Sequence, residues 1–106
     1  MVVEIQDIDA LKKGDFLVDF YTSTCAPCRA MSPFLEELSE EFEFQGVTIA
    51  KVEVTKNVAA SQMYGIVSVP TLMVLQDSKI KEVTRGFQTK ATMTAMLEKH
   101  VGKKGH

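Results

Sequence analysis

The segment FLVDFY, residues 16–21, is an almost uninterrupted apolar and aromatic run with the length of one β-strand. A strand of this composition has no polar face, so other elements must cover both of its sides. Layered α/β domains provide such cover, because helices pack on both faces of their central sheet. The segment therefore predicts a central strand of an α/β domain.

The rest of the chain alternates short strands and helices. Further strands are predicted at VTIAKVEV (47–54), TLMVLQ (71–76) and IKEVTRG (80–86), the last two joined by a hairpin connection, DSK. Four helices are predicted: a short one capped by Asp7, an amphipathic one beginning near Cys25, one over 56–65, and one capped by Thr89. This order implies a parallel strand pair followed by an antiparallel pair. It places the turn after Tyr21 at the carboxyl end of a central strand, where sites in open α/β sheets lie.

Length and charge exclude several classes of protein. A chain of 106 residues fits one domain, and its net charge of −2 offers no basic footprint for nucleic acid. The longest apolar stretches, such as TLMVL at 71–75, are far shorter than the roughly 20 residues of a membrane span. The first residues, MVVEIQDIDALKK, lack the basic start and apolar core of a signal peptide. We therefore expect no membrane partner and a cytoplasmic location.

Both cysteines of the chain lie three residues apart, at Cys25 and Cys28. As a structural staple they would close a very short loop, contributing roughly 2 kcal/mol against about 3 for a fifteen-residue loop. A zinc site needs four ligands, and the chain adds only His100 and His106, which we expect to be solvated terminal residues. A metal shared between two chains stays open. A redox-active dithiol is the third use, and cytosolic disulfides are usually of this transient kind.

The position of the pair favours that third use. Cys25 lies at the predicted start of a helix, where unpaired N–H groups stabilise a thiolate, the reactive form of the side chain. Cys28 follows one turn later on the same side, so that its sulfur can reach that of Cys25. Pro27 is tolerated in a first helical turn, and Arg29 adds a cation beside the pair.

The segment VDFYTSTCAPCRAMSPFLEEL resembles the active-site region of the thioredoxin family, and KVEV, YGIVSVPTLMVL and RGF follow in that family's order, over about residues 2–101. The resemblance implies one thioredoxin domain over 1–106, with a mixed five-stranded sheet and four helices. It also implies reduction of protein disulfides: Cys25 attacks, a mixed disulfide forms, and Cys28 resolves it. A monomer with no bound cofactor, regenerated by a thioredoxin reductase-type enzyme, is expected.

The resemblance also assigns roles away from the cysteines. Asp19 matches the family's buried proton acceptor for Cys28, and Lys51 matches its partner. Pro70 matches a cis proline that leaves the backbone of Val69 open to a substrate strand, and Gly86 matches a glycine beside the same groove. Without the resemblance, Asp19 and Lys51 would fit exposed strand positions, Pro70 a trans strand start, and Gly86 a plain turn.

Three positions depart from the family's pattern. Tryptophan is common at the positions of Tyr21 and Thr24, and glycine at that of Ala26, yet this chain has no tryptophan at all. Thr24 and Ala26 are expected to contact substrate, so these changes should alter partner choice. Pro27 should tune the potential, expected near the value of about −270 mV typical of thioredoxins.

The sequence leaves two other functions open. One is a disulfide oxidant or isomerase, which a more polar or cationic residue in place of Pro27 and a secretory signal would favour, and the sequence shows neither. The other is a non-catalytic binding subunit or a dimer that shares a metal through Cys25 and Cys28. The absence of tryptophan leaves room for it, because it indicates a changed contact surface.

Overall fold

The computed structural model describes residues 1–101 of the chain. The strands within this range are β1 (Val3–Glu4), β2 (Asp15–Tyr21), β3 (Val47–Glu53), β4 (Thr71–Gln76) and β5 (Lys79–Arg85). The α-helices are α1 (Ala26–Phe42), α2 (Val58–Met63) and α3 (Lys90–His100), and two 3-10 helices cover Ile8–Leu11 and Glu43–Gln45.

The five strands form one mixed sheet in the order β1-β3-β2-β4-β5. The central strand β2 pairs in parallel with β3 and antiparallel with β4. The outer strands complete the pattern, since β1 is parallel to β3 and β5 antiparallel to β4. The predicted α/β class, the mixed five-stranded sheet and the central place of the 16–21 segment are confirmed.

The prediction of four α-helices is wrong within the described part of the chain, which has three. The predicted first helix is a single 3-10 turn over Ile8–Leu11. Asp7 caps it as expected, because its carboxylate accepts the N–H of Asp9 at 2.9 Å. Gly14 follows closely with a φ of +106°, outside the range of a right-handed helix, and leaves no room for a second turn.

Two apolar cores cover the two faces of the sheet. One lies under α1 and α3, whose buried side chains include Met31, Leu35, Leu38, Met93, Met96 and Leu97. The other lies on the opposite face and includes Ile5, Leu11, Phe16, Val18, Phe20, Val52 and Ala60. Helices and loops therefore cover β2 on both sides, as its composition requires.

The two-residue alternation of β2 fixes the side on which Asp19 lies. Leu17 belongs to the core under α1 and α3, whereas Val18 and Phe20 belong to the other core. Since side chains two residues apart in a strand share a face, Asp19 points to the α1 side. Helix α1 carries Cys28.

The end of α3 differs from the expectation for the histidines. His100 is half-buried, and its Nε2 lies 2.7 Å from a carboxylate oxygen of Glu82 on β5. The Gln76 side-chain amide also donates to the His100 carbonyl at 3.3 Å. The prediction of a solvated His100 is wrong because α3 packs back onto the sheet there. His106 lies outside the described residues.

Candidate active site

Cys25 and Cys28 lie at the start of α1, close to the end of β2. Cys25 is the N-cap residue of α1, and its sulfur accepts the N–H of Cys28 at 3.2 Å. The two sulfurs are joined in a disulfide, with the Cα atoms 5.2 Å apart. Cys28 is only 3% exposed, whereas Cys25 is partly exposed. A protein partner can therefore reach the sulfur of Cys25 and not that of Cys28.

Two features shape the turn that carries Cys25. Pro27 lies in the first turn of α1, where a missing N–H costs no helical hydrogen bond. The Arg29 guanidinium donates to the carbonyl of Ser23 at 3.0 Å and so ties the loop before the dithiol to the helix after it. Thr24 and Ala26, on either side of Cys25, are exposed.

Two further segments reach the same edge of the sheet. Phe20 pairs with Thr71, and Thr71 pairs with Arg85, so the residues just beyond these pairs lie next to the end of β2. These residues are Pro70 and Gly86, and the N–H of Gly86 donates to the carbonyl of Pro70 at 2.8 Å. The Val69–Pro70 peptide bond is cis, as the resemblance implied.

The backbone of this edge is open to a ligand. Within residues 1–101, neither the N–H nor the C=O of Val69 has a hydrogen-bond partner. Gly86 has a φ of +87°, and a Cβ atom added there would meet nothing within 4 Å. A cavity of about 250 Å³ lies beside Val69, and its lining residues are Thr22, Val54, Ser61, Ile66, Val67, Ser68 and Val69.

Asp19 is fully buried, and neither of its carboxylate oxygens has a hydrogen-bond partner among the described residues. Burial raises the pKa of Asp19 from 3.8 to about 7, although the charge of Lys51 lowers it and that of Glu4 raises it. An exposed strand position for Asp19 is thereby excluded. A carboxyl group with this pKa can both take and release a proton near neutral pH.

Lys51 lies beside Asp19 in the pairing of β2 with β3. No ion pair or hydrogen bond joins the two side chains in the part of the chain that the structure covers. The Lys51 ammonium lies instead over the ring of Tyr21, 4.4 Å from its centroid. Lys51 therefore acts on Asp19 through its charge alone.

A cavity of about 210 Å³ connects this region with the dithiol. Its lining residues are Tyr21, Thr22, Ser23, Cys28, Arg29, Ser32 and Lys51. Cys28 and Lys51 thus face one small cavity, although Asp19 is absent from its lining. Such a space with several polar groups is suited to hold water.

Sequence reasoning missed the contacts of Tyr21. Its hydroxyl donates to Glu4 at 2.8 Å, and its ring carries the Lys51 ammonium. Burial, followed by this hydrogen bond, raises the pKa of Tyr21 above its usual range. An aromatic residue two positions after Asp19 on the same strand was the available signal, because both side chains share one face.

In the described range, no group of three or more His, Cys, Asp or Glu side chains is placed to hold a metal ion. Across the same residues, no helix combines the length and apolar character that crossing a bilayer requires.

Comparisons with known proteins agree with this geometry. The Thioredoxin family model matches residues 4–99. A thioredoxin of Bacillus subtilis is 36% identical over 89 residues, covering 84% of this chain and 85% of the relative. A thioredoxin of Staphylococcus aureus is 34% identical over 103 residues, covering 94% and 98%. A solved mutant thioredoxin from Halobacterium salinarum has a TM-score of 0.84 at 27% identity, covering 94% of this chain and 90% of that one.

Proposed function

Since this chain belongs to the thioredoxin family, it is a thiol-disulfide oxidoreductase that reduces protein disulfides, and we propose that Cys25 is its nucleophile and Cys28 its resolving residue. One observation carries these assignments: the two sulfurs are bonded to each other, yet only Cys25 is accessible from outside. The helix N-terminus at Cys25 favours its thiolate form.

The reaction transfers two electrons from the dithiol to the substrate. The Cys25 thiolate attacks one sulfur of a substrate disulfide, whose bond breaks and whose second sulfur leaves as a thiolate that takes up a proton. Cys28 then loses its proton, and its thiolate attacks the sulfur of Cys25. The mixed disulfide breaks, the substrate leaves with both sulfurs reduced, and Cys25 and Cys28 remain joined.

Asp19 is proposed as the acceptor of the Cys28 proton. Three observations support this role: its side chain faces α1, its oxygens are unpartnered among residues 1–101, and burial raises its pKa to about 7. Lys51 is proposed to moderate the pKa of Asp19 through its charge.

The substrate is proposed to bind as an extended segment along the edge formed by Val69, Pro70 and Gly86. The unpaired backbone groups of Val69 support this, because they can form the hydrogen bonds of an added strand. Thr24 and Ala26 would contact the residues around the substrate cysteine. Pro27, by restricting the turn between the sulfurs, is proposed to tune the potential.

The setting of the reaction is part of the proposal. Family members act on disulfide-containing proteins and are regenerated by a thioredoxin reductase, and we assign both kinds of partner to this chain. A monomer comprising one domain over 1–106 suffices, because one chain supplies every proposed site residue. A reductant of this kind suits the cytoplasm, where thiols are kept reduced. The proposed cycle uses no bound cofactor, no nucleic acid and no membrane.

The order of attack can be tested by trapping. The Cys28→Ser variant should accumulate a mixed disulfide with a protein substrate, because nothing remains to release it from Cys25. Non-reducing electrophoresis and mass spectrometry of the trapped peptide would locate the bond. The Cys25→Ser variant, treated identically, should trap little, since Cys28 is buried. Equal trapping through Cys28 would contradict the assigned roles.

The substrate edge can be tested at Gly86. Gly86→Ala should raise KM for a protein disulfide roughly tenfold, because a methyl group in a close contact costs about 1–3 kcal/mol. Gly46→Ala is the matched control: its φ is also positive, its added Cβ also meets nothing within 4 Å, and it lies beyond the far end of α1. Both should lose roughly 1–2 kcal/mol of stability. An equal change of KM in both variants would argue against a substrate contact.

A further inference from the structure

Three charged side chains form a row across adjacent strands. Glu4 on β1 pairs in register with Lys51 on β3, and Lys51 pairs with Asp19 on β2. Register partners present their side chains on the same face, so the lysine lies between two carboxylates. The next register position in the row, on β4, is the uncharged Leu72. Lys51 would be expected to form an ion pair with one of its acidic neighbours.

The structure shows neither ion pair. In the described chain, Lys51 has no carboxylate oxygen within 4.0 Å of its ammonium, and both oxygens of Asp19 lack a hydrogen-bond partner. The Lys51 ammonium lies 4.4 Å from the centroid of the Tyr21 ring, within the range of a cation–π interaction.

Tyr21 also binds the second carboxylate of the row, that of Glu4. Its hydroxyl donates to Glu4 at 2.8 Å, so one side chain binds the lysine through its ring and the glutamate through its hydroxyl. The hydrogen bond to Glu4 restrains the position of the ring. Tyr21 therefore contacts both of the other residues in the row, Lys51 and Glu4.

We propose that Tyr21 is a positioning residue that holds the Lys51 ammonium away from Asp19 and so keeps that buried carboxyl free to take the proton of Cys28. The consequence for turnover rests on the proposed role of Asp19. The positioning itself concerns only the contacts of Tyr21, Lys51 and Glu4, and can be measured on the Asp19 carboxyl without any substrate.

The charged and titratable groups around Asp19 define what must be controlled. Lys51 faces it from β3, Glu4 stands beyond the lysine on β1, Tyr21 follows on its own strand, and Cys28 lies on the helix above. In the oxidised protein Cys28 does not titrate, because it is in the disulfide. An opposite charge that comes within about 4–6 Å of a carboxyl group lowers its pKa by about 1–3 units.

The test is a titration of the Asp19 carboxyl carbon by NMR in the oxidised, full-length protein. Tyr21→Leu removes ring and hydroxyl, frees Lys51 to approach Asp19, and should lower the Asp19 pKa by about one unit. Tyr21→Phe is the matched control, because it keeps the ring under Lys51 and removes only the bond to Glu4. It should leave the Asp19 pKa close to that of the parent protein, because Lys51 keeps its contact with the ring.

A Lys51→Gln background separates positioning from a change in burial. There, Tyr21→Leu should cause no downward shift, because no ammonium remains to move. A shift that persists without Lys51, or equal downward shifts in the leucine and phenylalanine variants, would overturn the proposal.

The unmodified protein offers an independent measurement that does not depend on any variant folding. The ε-methylene protons of Lys51 should resonate upfield of their usual position, owing to the ring current of Tyr21. Ordinary shifts for these protons would overturn the proposal as well. None of these readouts depends on disulfide reduction, so their failure is distinguishable from failure of the proposed catalytic roles.

Discussion

Reduction of insulin by dithiothreitol should proceed at the uncatalysed rate in the presence of the Cys25→Ser variant. A serine hydroxyl at this N-cap position forms no thiolate and cannot exchange with a disulfide. Cys28 cannot substitute, because it is only 3% exposed. The measurement is the turbidity of precipitating insulin chains, followed over a range of enzyme concentrations.

The control for this variant is its fold. Serine is close to cysteine in size and can cap the helix equally well, so the circular dichroism spectrum and thermal midpoint should match those of the reduced parent protein. Substantial turnover by the folded variant would mean that the first attack comes from elsewhere. The assignment of Cys25 would then be wrong, whereas the family membership would stand on its own evidence.

The second large effect concerns Asp19 and the pH dependence of stability. Its pKa is about 7 in the folded protein and 3.8 in its ordinary state. Between these values the native state keeps a proton that the unfolded chain has released, so the free energy of unfolding falls as pH rises through this window. The contribution is complete below pH 3.8 and is lost above about 7. The interval of about three pH units corresponds to roughly 4 kcal/mol.

Replacing Asp19 by asparagine should remove this dependence. We compare the free energies of unfolding of the variant and the parent, measured by urea unfolding of the oxidised protein. From pH 4 to pH 8, their difference should change by roughly 4 kcal/mol in favour of the variant. The comparison is made between pH values because the buried amide itself costs about 1–3 kcal/mol at every pH. Glu36→Gln, at an exposed carboxylate of α1, is the control and should follow the parent. Parallel curves for the parent and Asp19→Asn would contradict a carboxyl of raised pKa.

Much of the fold could be predicted because its signals are local. The apolar run at 16–21, the helix with buried residues every three or four positions, and the cap at Thr89 each determine one element. Strand β1 has only two residues, too few to show any periodicity, and only the family resemblance implied a fifth strand. The sequence predicts a helix near Leu11 where the structure has a 3-10 turn, because a cap residue marks the start of a turn and not its length.

The candidate site was predictable as far as it depends on residue type at a fixed spacing. Cys25, Cys28 and Pro70 lie where their motifs indicate. The direction of the Lys51 side chain was not predictable, because a long flexible chain chooses among partners on neighbouring strands. That choice depends on Tyr21, which sequence reasoning treated only as a substitution for tryptophan. The partial burial of His100 was not predictable for a related reason, since its partner Glu82 comes from another element.

The near-complete burial of Cys28 affects how long any partner stays attached. In the proposed cycle, the Cys28 sulfur, which is bonded to that of Cys25 and buried, breaks the bond to a partner from inside the protein. Such an internal attack does not slow when the concentration of external thiols falls. The residence time of each captured partner is therefore a property of the fold, largely independent of how reducing the surroundings are.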